Sequence, residues 1–158
     1  MKRLIVLFLT MSLLLSCSAC APETEQPPKF YYLRTEENIL YGEAQGFIAP
    51  VAREISQDMG LDVILQLYLS GPADENFRNP IPKGTYLLST ILREDRLDIV
   101  MSREFSSLDG MQLTLAGACL AATCHDLTGM EKIQVRSGDN IYDFDLNSFV
   151  FLDESAGK

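Results

Sequence analysis

The residues of this chain that could do chemistry are few and scattered. His125 is the one histidine, so a Ser-His-Asp or Cys-His centre would have to be built on it, and the sequence holds no Gly-x-Ser-x-Gly elbow to present a nucleophile. His125 instead stands near the end of a predicted helix, where a cation suits the helix dipole. Just before it, Cys119-Leu-Ala-Ala-Thr-Cys124 separates two cysteines by four residues, two more than the haem-attachment pattern has. Cys119 falls among alanines on the face that the periodicity buries, where cysteine acts as a small hydrophobe. Helical spacing sets the two thiols about 140° apart, a poor geometry for a bond between them. Asp143, Asp145, Asn147 and Glu154 occupy positions 1, 3, 5 and 12 of a calcium loop. Ser148 stands where the turn glycine belongs, and Tyr142, Phe144 and Leu146 alternate as in a strand, so the strand is the preferred reading. The expectation is therefore no catalytic residue, no metal site and no cofactor, and a chain that is not an enzyme.

The one residue whose surroundings do point to chemistry is Cys17. Met1-Lys2-Arg3 is a basic tip, and Leu4 to Leu15 is an apolar run interrupted only by Thr10 and Ser12. A spanning helix needs about 20 apolar residues, and this run ends at Ser16, so it reads as a removed secretory signal. Leu14-Leu15-Ser16-Cys17 resembles the lipobox of bacterial lipoproteins, which implies cleavage before Cys17 and its lipidation. Cys20 has a small residue before it but lacks the apolar residue three positions back and ranks second. The bland alternative is an ordinary secretory signal cut at an Ala-x-Ala-like site, with Ala19 and Ala21 as the small residues. After the anchor, Pro22, Glu23, Glu25, Pro27 and Pro28 form a polar stretch unable to pack, read as a tether.

About 130 residues remain, enough for one domain with a real core. The chain carries a net charge of −9, and loss of Lys2 and Arg3 with the signal takes it to −11. Such acidity argues against nucleic acid as a partner and against charge-driven lodging on anionic lipid. Attachment to a membrane would then rest on acyl chains such as palmitate, and one chain alone holds only marginally. With Cys17 lipidated, Cys20, Cys119 and Cys124 are left, an odd remainder that excludes a dense disulfide framework.

The elements that must carry these residues follow from periodicity. Lys29–Leu33 and Gly46–Val51 read as strands. Leu61, Ile64, Leu65 and Tyr68 form one stripe of a helix that Ser56 or Asp58 could begin and Ser70-Gly71-Pro72 ends. A connection rich in Pro, Asn and Gly runs from Gly71 to Gly84. Thr85–Leu92 and Leu97–Ser102 flank the polar turn Arg93–Arg96 as a hairpin. A second helix lies between Asp109 and Cys124, with Leu115, Ala118, Cys119 and Ala122 on one face, and Lys132–Val135 is a core strand before a tail from Ser137 to Lys158. This order predicts an α+β fold, a two-layer sandwich of a small mixed or antiparallel sheet with two helices on one face.

Leu69-Ser70-Gly71-Pro72, Ile81-Pro82-Lys83-Gly84-Thr85, Ile99–Ser102 with Phe105, and Leu127-Thr128-Gly129-Met130 before Ile133-Gln134-Val135 stand in a telling order. Together they resemble the sporulation and spore germination domain, the GerMN family, over roughly Phe30 to Gly138. The chain departs from the family pattern at Val100, at Asp95-Arg96 and at Thr123-Cys124-His125. The organisation expected is a lipoprotein signal peptide at 1–16, a tether at 17–28, a GerMN-like domain at 29–138, and a C-terminal strand or tail at 139–158. The resemblance implies a fold similar to ring-building modules and a non-enzymatic lipoprotein on the extracytoplasmic face of the cell membrane. It further implies action in assembly of envelope complexes linked to sporulation or germination, through contacts with envelope or membrane proteins or by self-association. The alternative function is a small-ligand or cell-wall-binding lipoprotein that uses the Gly71–Gly84 connection as its recognition surface. A hydrolase built on His125 is the remaining reading.

Overall fold

The computed structural model describes residues 27–35, 46–56 and 58–149. In chain order these form β1 (Lys29–Arg34), β2 (Ile48–Ala52), α1 (Leu61–Leu69), β3 (Phe77–Arg78), β4 (Leu87–Leu92) and β5 (Leu97–Met101). A 3-10 turn (Arg103–Ser107), α2 (Gly110–Thr128), β6 (Lys132–Ser137), β7 (Asn140–Asp145) and a second 3-10 turn (Leu146–Ser148) complete them. The fold is α+β, as the order of elements predicts, and its strands divide between a sheet ordered β2-β1-β3 and a sheet ordered β4-β5-β6-β7. The larger sheet is mixed: β5 and β6 run parallel, with α2 in the crossover between them, while β4–β5 and β6–β7 are antiparallel.

Alternation sets the two faces of the larger sheet. Leu97, Ile99 and Met101 of β5 and Ile133 and Val135 of β6 are buried, while Asp98 and Arg136 point the other way. Both helices lie on the buried face. Thr90, opposite Ile99, hydrogen-bonds Asp62 of α1, and Phe144, opposite Ile133, lies against Gly117 of α2. The polar turn Arg93–Arg96 closes the β4–β5 hairpin with a 2.9 Å bond from Arg93 N–H to the Arg96 carbonyl, and both guanidinium groups pair with Asp98.

The small sheet sits on the other side of α2, so that helix is enclosed from two directions. Its nine residues Ala116–Cys124 are all buried, and among them are Ala, Gly, Cys and Thr with a single Leu. The one-sided face expected from Leu115, Ala118, Cys119 and Ala122 is thus widened to the whole circumference. A helix apolar all round is a buried one. The packing also needs small residues: a Cβ at Gly117 would overlap the Phe144 ring, 2.8 Å from Cζ and closer still to Cδ1 and Cε1.

The strand β1 runs through the middle of the small sheet, but β3 covers only its last two residues, Leu33 and Arg34. The amides left open at its other end are taken by α2. Lys29 N–H donates to Asp126 Oδ2 at 2.7 Å and Tyr31 N–H to Thr123 Oγ1 at 2.9 Å. On the opposite edge Tyr31 faces Pro50, which has no N–H to offer. Helix α1 is tied to the same strand by a stacked Tyr32–Tyr68 pair with ring centroids 5.2 Å apart, with Phe30 edge-on to Tyr68. The hydroxyls are exchanged: Tyr32 donates to the Tyr68 carbonyl at 3.1 Å, and Tyr68 to the Tyr31 carbonyl at 3.3 Å.

Helix boundaries differ from those read in the sequence. α1 starts at Leu61 behind Gly60, with no side-chain cap, rather than at Ser56 or Asp58, and Asp62 supplies the favourable first-turn carboxylate. α2 runs past Cys124 to Thr128, because Gly129 takes the left-handed conformation (φ +74°) that ends it and its amide bonds the His125 carbonyl at 2.7 Å. Beyond β6, Asn140–Asp145 pairs along its whole length with Lys132–Ser137.

Gly117→Ala is expected to lower stability by about 1–3 kcal/mol, the usual cost of overpacking, measured by urea unfolding. Combining it with Phe144→Leu should return part of that loss; a strictly additive double mutant would count against the contact.

Candidate functional site

Cys17, Cys20 and the signal segment lie outside the described residues, as does Glu154. The described candidates do not converge. Cys119 and Cys124 are free thiols fully buried in α2, while His125 is exposed in the last turn. Burial pushes the Cys119 thiol far above its ordinary range and Cys124 to about 12. Both therefore remain protonated at neutral pH and serve as small apolar side chains rather than nucleophiles. The same exclusion of water raises Tyr68 well above its ordinary value and Tyr32 to about 12.

The residues of the acidic loop are engaged inside the domain. Asp143 accepts from Gln134 Nε2 at 2.8 Å, Asp145 accepts from the Asn147 amide at 3.0 Å, and Asn147 Nδ2 donates to Glu131 at 2.9 Å. Tyr142 and Phe144 are half-buried in β7, as the strand reading has it. Among the described residues no three carboxylate, thiol or imidazole groups are placed to hold a metal ion, and no helix is long and apolar enough to cross a membrane.

Two concave surfaces stand out instead. The first, about 550 Å³, lies between α1 and the free side of β4 and is lined by Val63, Leu67, Leu87 and Leu88 with Asp62, Gln66 and Ser70. Its local structure is set by a bulge, for Leu87 pairs with Met101 and Ser89 with Val100, which leaves Leu88 as the extra residue. The Leu87 amide, turned away from β5, donates to Gln66 Oε1 at 2.9 Å, so α1 shields part of the strand edge. In the groove Leu88 is 58% and Val63 56% exposed; farther along β4 Leu92 is 56% exposed, and Ile91, opposite Asp98 on the face away from the helices, 51%. The sequence reading named β4 as a strand but missed this surface. The signal available was Leu87-Leu88 and Ile91-Leu92, doublets that no alternating strand can bury on one face.

The second surface, about 430 Å³, is formed by Arg78–Lys83 against Leu33, Leu108 and the first turns of α2. It includes six of the fourteen residues of the Gly71–Gly84 connection singled out in the sequence.

Residues 29–142, more than two thirds of the chain, match the Germane family, described as sporulation and spore germination. The chain belongs to this family. The resemblance carried by Gly71-Pro72 and Ile81-Pro82-Lys83-Gly84-Thr85 is thereby upheld, and membership links the chain to sporulation or germination. The match includes α1, α2 and the first part of β7, so the Germane domain takes in both sheets. Comparison with curated proteins and with solved structures finds no match.

The buried groups of this Germane domain make its stability sensitive to alkali. A thiol whose folded-state pKa is raised favours the folded state fully below its unfolded value near 9 and loses that contribution as the pH climbs towards about 12. The urea midpoint should therefore fall from pH 9 to 11, and fall less steeply in a Cys119→Ala/Cys124→Ala double variant. Equal slopes would contradict the assignment of the thiols.

Proposed function

We propose that this chain is a non-enzymatic, lipid-anchored protein of the extracytoplasmic face of the cell membrane, acting in the assembly of an envelope complex linked to sporulation or germination. The observation that carries the reading is the apolar groove between α1 and β4 on a domain of the Germane family. Monomeric proteins rarely leave contiguous apolar surface to water without a use for it. Here Leu88 lines the groove and Leu92 stands exposed farther along the same edge strand, the part of a sheet most open to another chain. The partner is an apolar segment of a neighbouring envelope protein, laid along α1 and β4.

Anchoring rests on the Leu14-Leu15-Ser16-Cys17 motif. From Cys17 to Lys29 the chain can reach at most about 40 Å, so a lipidated Cys17 keeps the domain beside the bilayer. The domain's own acidity favours no anionic lipid, and the acyl chains would hold it there. Confinement of this kind raises the effective concentration of partners in the same membrane without any added contact.

Cys17→Ala should abolish incorporation of labelled palmitate and release the chain from the membrane fraction, while Cys20→Ala should change neither. Retention of label in Cys17→Ala would refute the anchor. Separately, Leu88→Lys/Leu92→Lys should leave the melting temperature near that of the parent and eliminate crosslinked partners from envelope membranes. Parent protein recovered only as a free monomer, or partners unaffected by the substitutions, would sink the assembly role.

A further inference from the structure

We propose that the groove between Arg78–Lys83 and the start of α2 binds short acidic peptide segments, seating an apolar side chain on Leu33, Leu108 and Leu115 and a carboxylate on Arg78 and Lys83. It shares no lining residue with the α1–β4 groove and does not depend on that surface having a partner.

Charge is the first argument. The chain carries 22 acidic and 13 basic residues, yet the lining of this groove contains two cations and no carboxylate. The ion pairs among the described residues, Arg93 and Arg96 with Asp98, lie at the far hairpin turn, so Arg78 and Lys83 keep their charge for a ligand. The acids near it in sequence among the described residues, Glu75, Glu104 and Asp109, are exposed and outside the lining, Glu104 lying beside Gly84. An anion entering the groove therefore meets attraction that a cation would not, and Arg presents a planar fork suited to a carboxylate.

Shape and chemistry of the floor are the second. A volume of about 430 Å³ falls within the usual range of ligand sites. Leu33, Ile81, Leu108 and Leu115 with Pro80 and Pro82 supply apolar contact, and Gln112 adds an exposed amide at the rim. A bare anion would leave that floor wet. A peptide that sets an apolar side chain next to a carboxylate uses both halves.

Rigidity is the third. The fourteen residues Gly71–Gly84 contain only the two-residue β3, a length of connection that compact domains seldom spend without a use. Its wall is fixed all the same. Asn79 Nδ2 donates to the Leu69 carbonyl at 2.8 Å, Asn79 Oδ1 accepts from the Ile81 amide at 3.0 Å, and the Thr85 amide bonds the Pro82 carbonyl at 3.1 Å. Pro80 and Pro82 restrict the backbone further. A groove already held in shape spends little binding free energy on ordering itself.

The test is fluorescence anisotropy of the detergent-solubilised full chain with a fluorescein-labelled peptide, Ala-Leu-Phe-Asp-Glu, against Ala-Leu-Phe-Asn-Gln as control. Saturable binding is expected, about tenfold tighter for the acidic peptide and weakening with salt. Arg78→Ala/Lys83→Ala should remove that preference. Gln112→Glu should weaken acidic-peptide binding by about threefold while leaving the fold intact, since a carboxylate in the first turn suits α2. Equal binding of the two peptides, no saturation, or affinity unchanged in both variants with melting temperatures preserved would overturn the proposal.

Discussion

The structure depends on how closely α2 is held between two sheets. That helix has to satisfy two unlike neighbours. Towards β7 it offers Gly117, where any side chain would enter the Phe144 ring; towards β1 it offers Thr123 and Asp126, which receive the amides of Tyr31 and Lys29. Small residues let the backbones approach, and the two polar ones appear where a strand amide would otherwise be left without a partner. A buried, unpaired amide costs about 1–3 kcal/mol, comparable to the loss of a core methylene or two. Thr123 therefore contributes as much by accepting a hydrogen bond as its neighbours do by filling space. It also lies beside Tyr68, whose hydroxyl is bound to the Tyr31 carbonyl, so strand, helix α1 and helix α2 meet at one point.

With the interior organised in this way, several of the chemistry-bearing residues serve the structure. The thiols of Cys119 and Cys124 are protonated and enclosed, Asp143 and Asp145 bond within the sheet and its following turn, and Ser137 and Ser102 hold the end of β6 to the segment after β5. Ser137, fully buried, donates to the Ser102 carbonyl at 2.7 Å and accepts from the Ser106 amide at 3.1 Å, which satisfies it. The two thiols thus lie where substrates do not reach.

Much of this organisation was legible in the residues. The β4–β5 hairpin followed from alternation at Leu97, Ile99 and Met101 around a polar turn, α1 from its stripe at Leu61, Ile64, Leu65 and Tyr68, and the stop at Ser70-Gly71-Pro72 from backbone chemistry alone. The second sheet was not legible, because pairing between Lys29–Arg34 and Phe77–Arg78 joins segments some forty residues apart, and a two-residue strand has no period. Enclosure of α2 on all sides left a faint trace: Ala116–Cys124 contains no charged residue, yet its alanines are as compatible with a half-exposed helix as with a buried one. Of the two grooves, the connection that builds one was visible through its length and its prolines. The other was hidden because its depth comes from a bulge at Leu88, and bulges depend on the partner strand.

On the proposed anchoring, the start of β1 bears on where the cationic groove would stand relative to a bilayer. Lys29 opens β1 beside Asp126, near the C-terminal end of α2. Gln112 and Leu115, at the other end of the helix, line the cationic groove. Fourteen helical residues from Gln112 to Asp126 correspond to about 21 Å along the axis. On the proposed anchoring, the cationic groove would stand farther from the lipid than the point of attachment, beyond much of the negative surface potential, which falls off within about 10 Å. Arg78 and Lys83 would then be available to acidic segments of proteins rather than to lipid headgroups. On that anchoring, the recess lined by Arg78 and Lys83 would select its ligands by position as much as by charge.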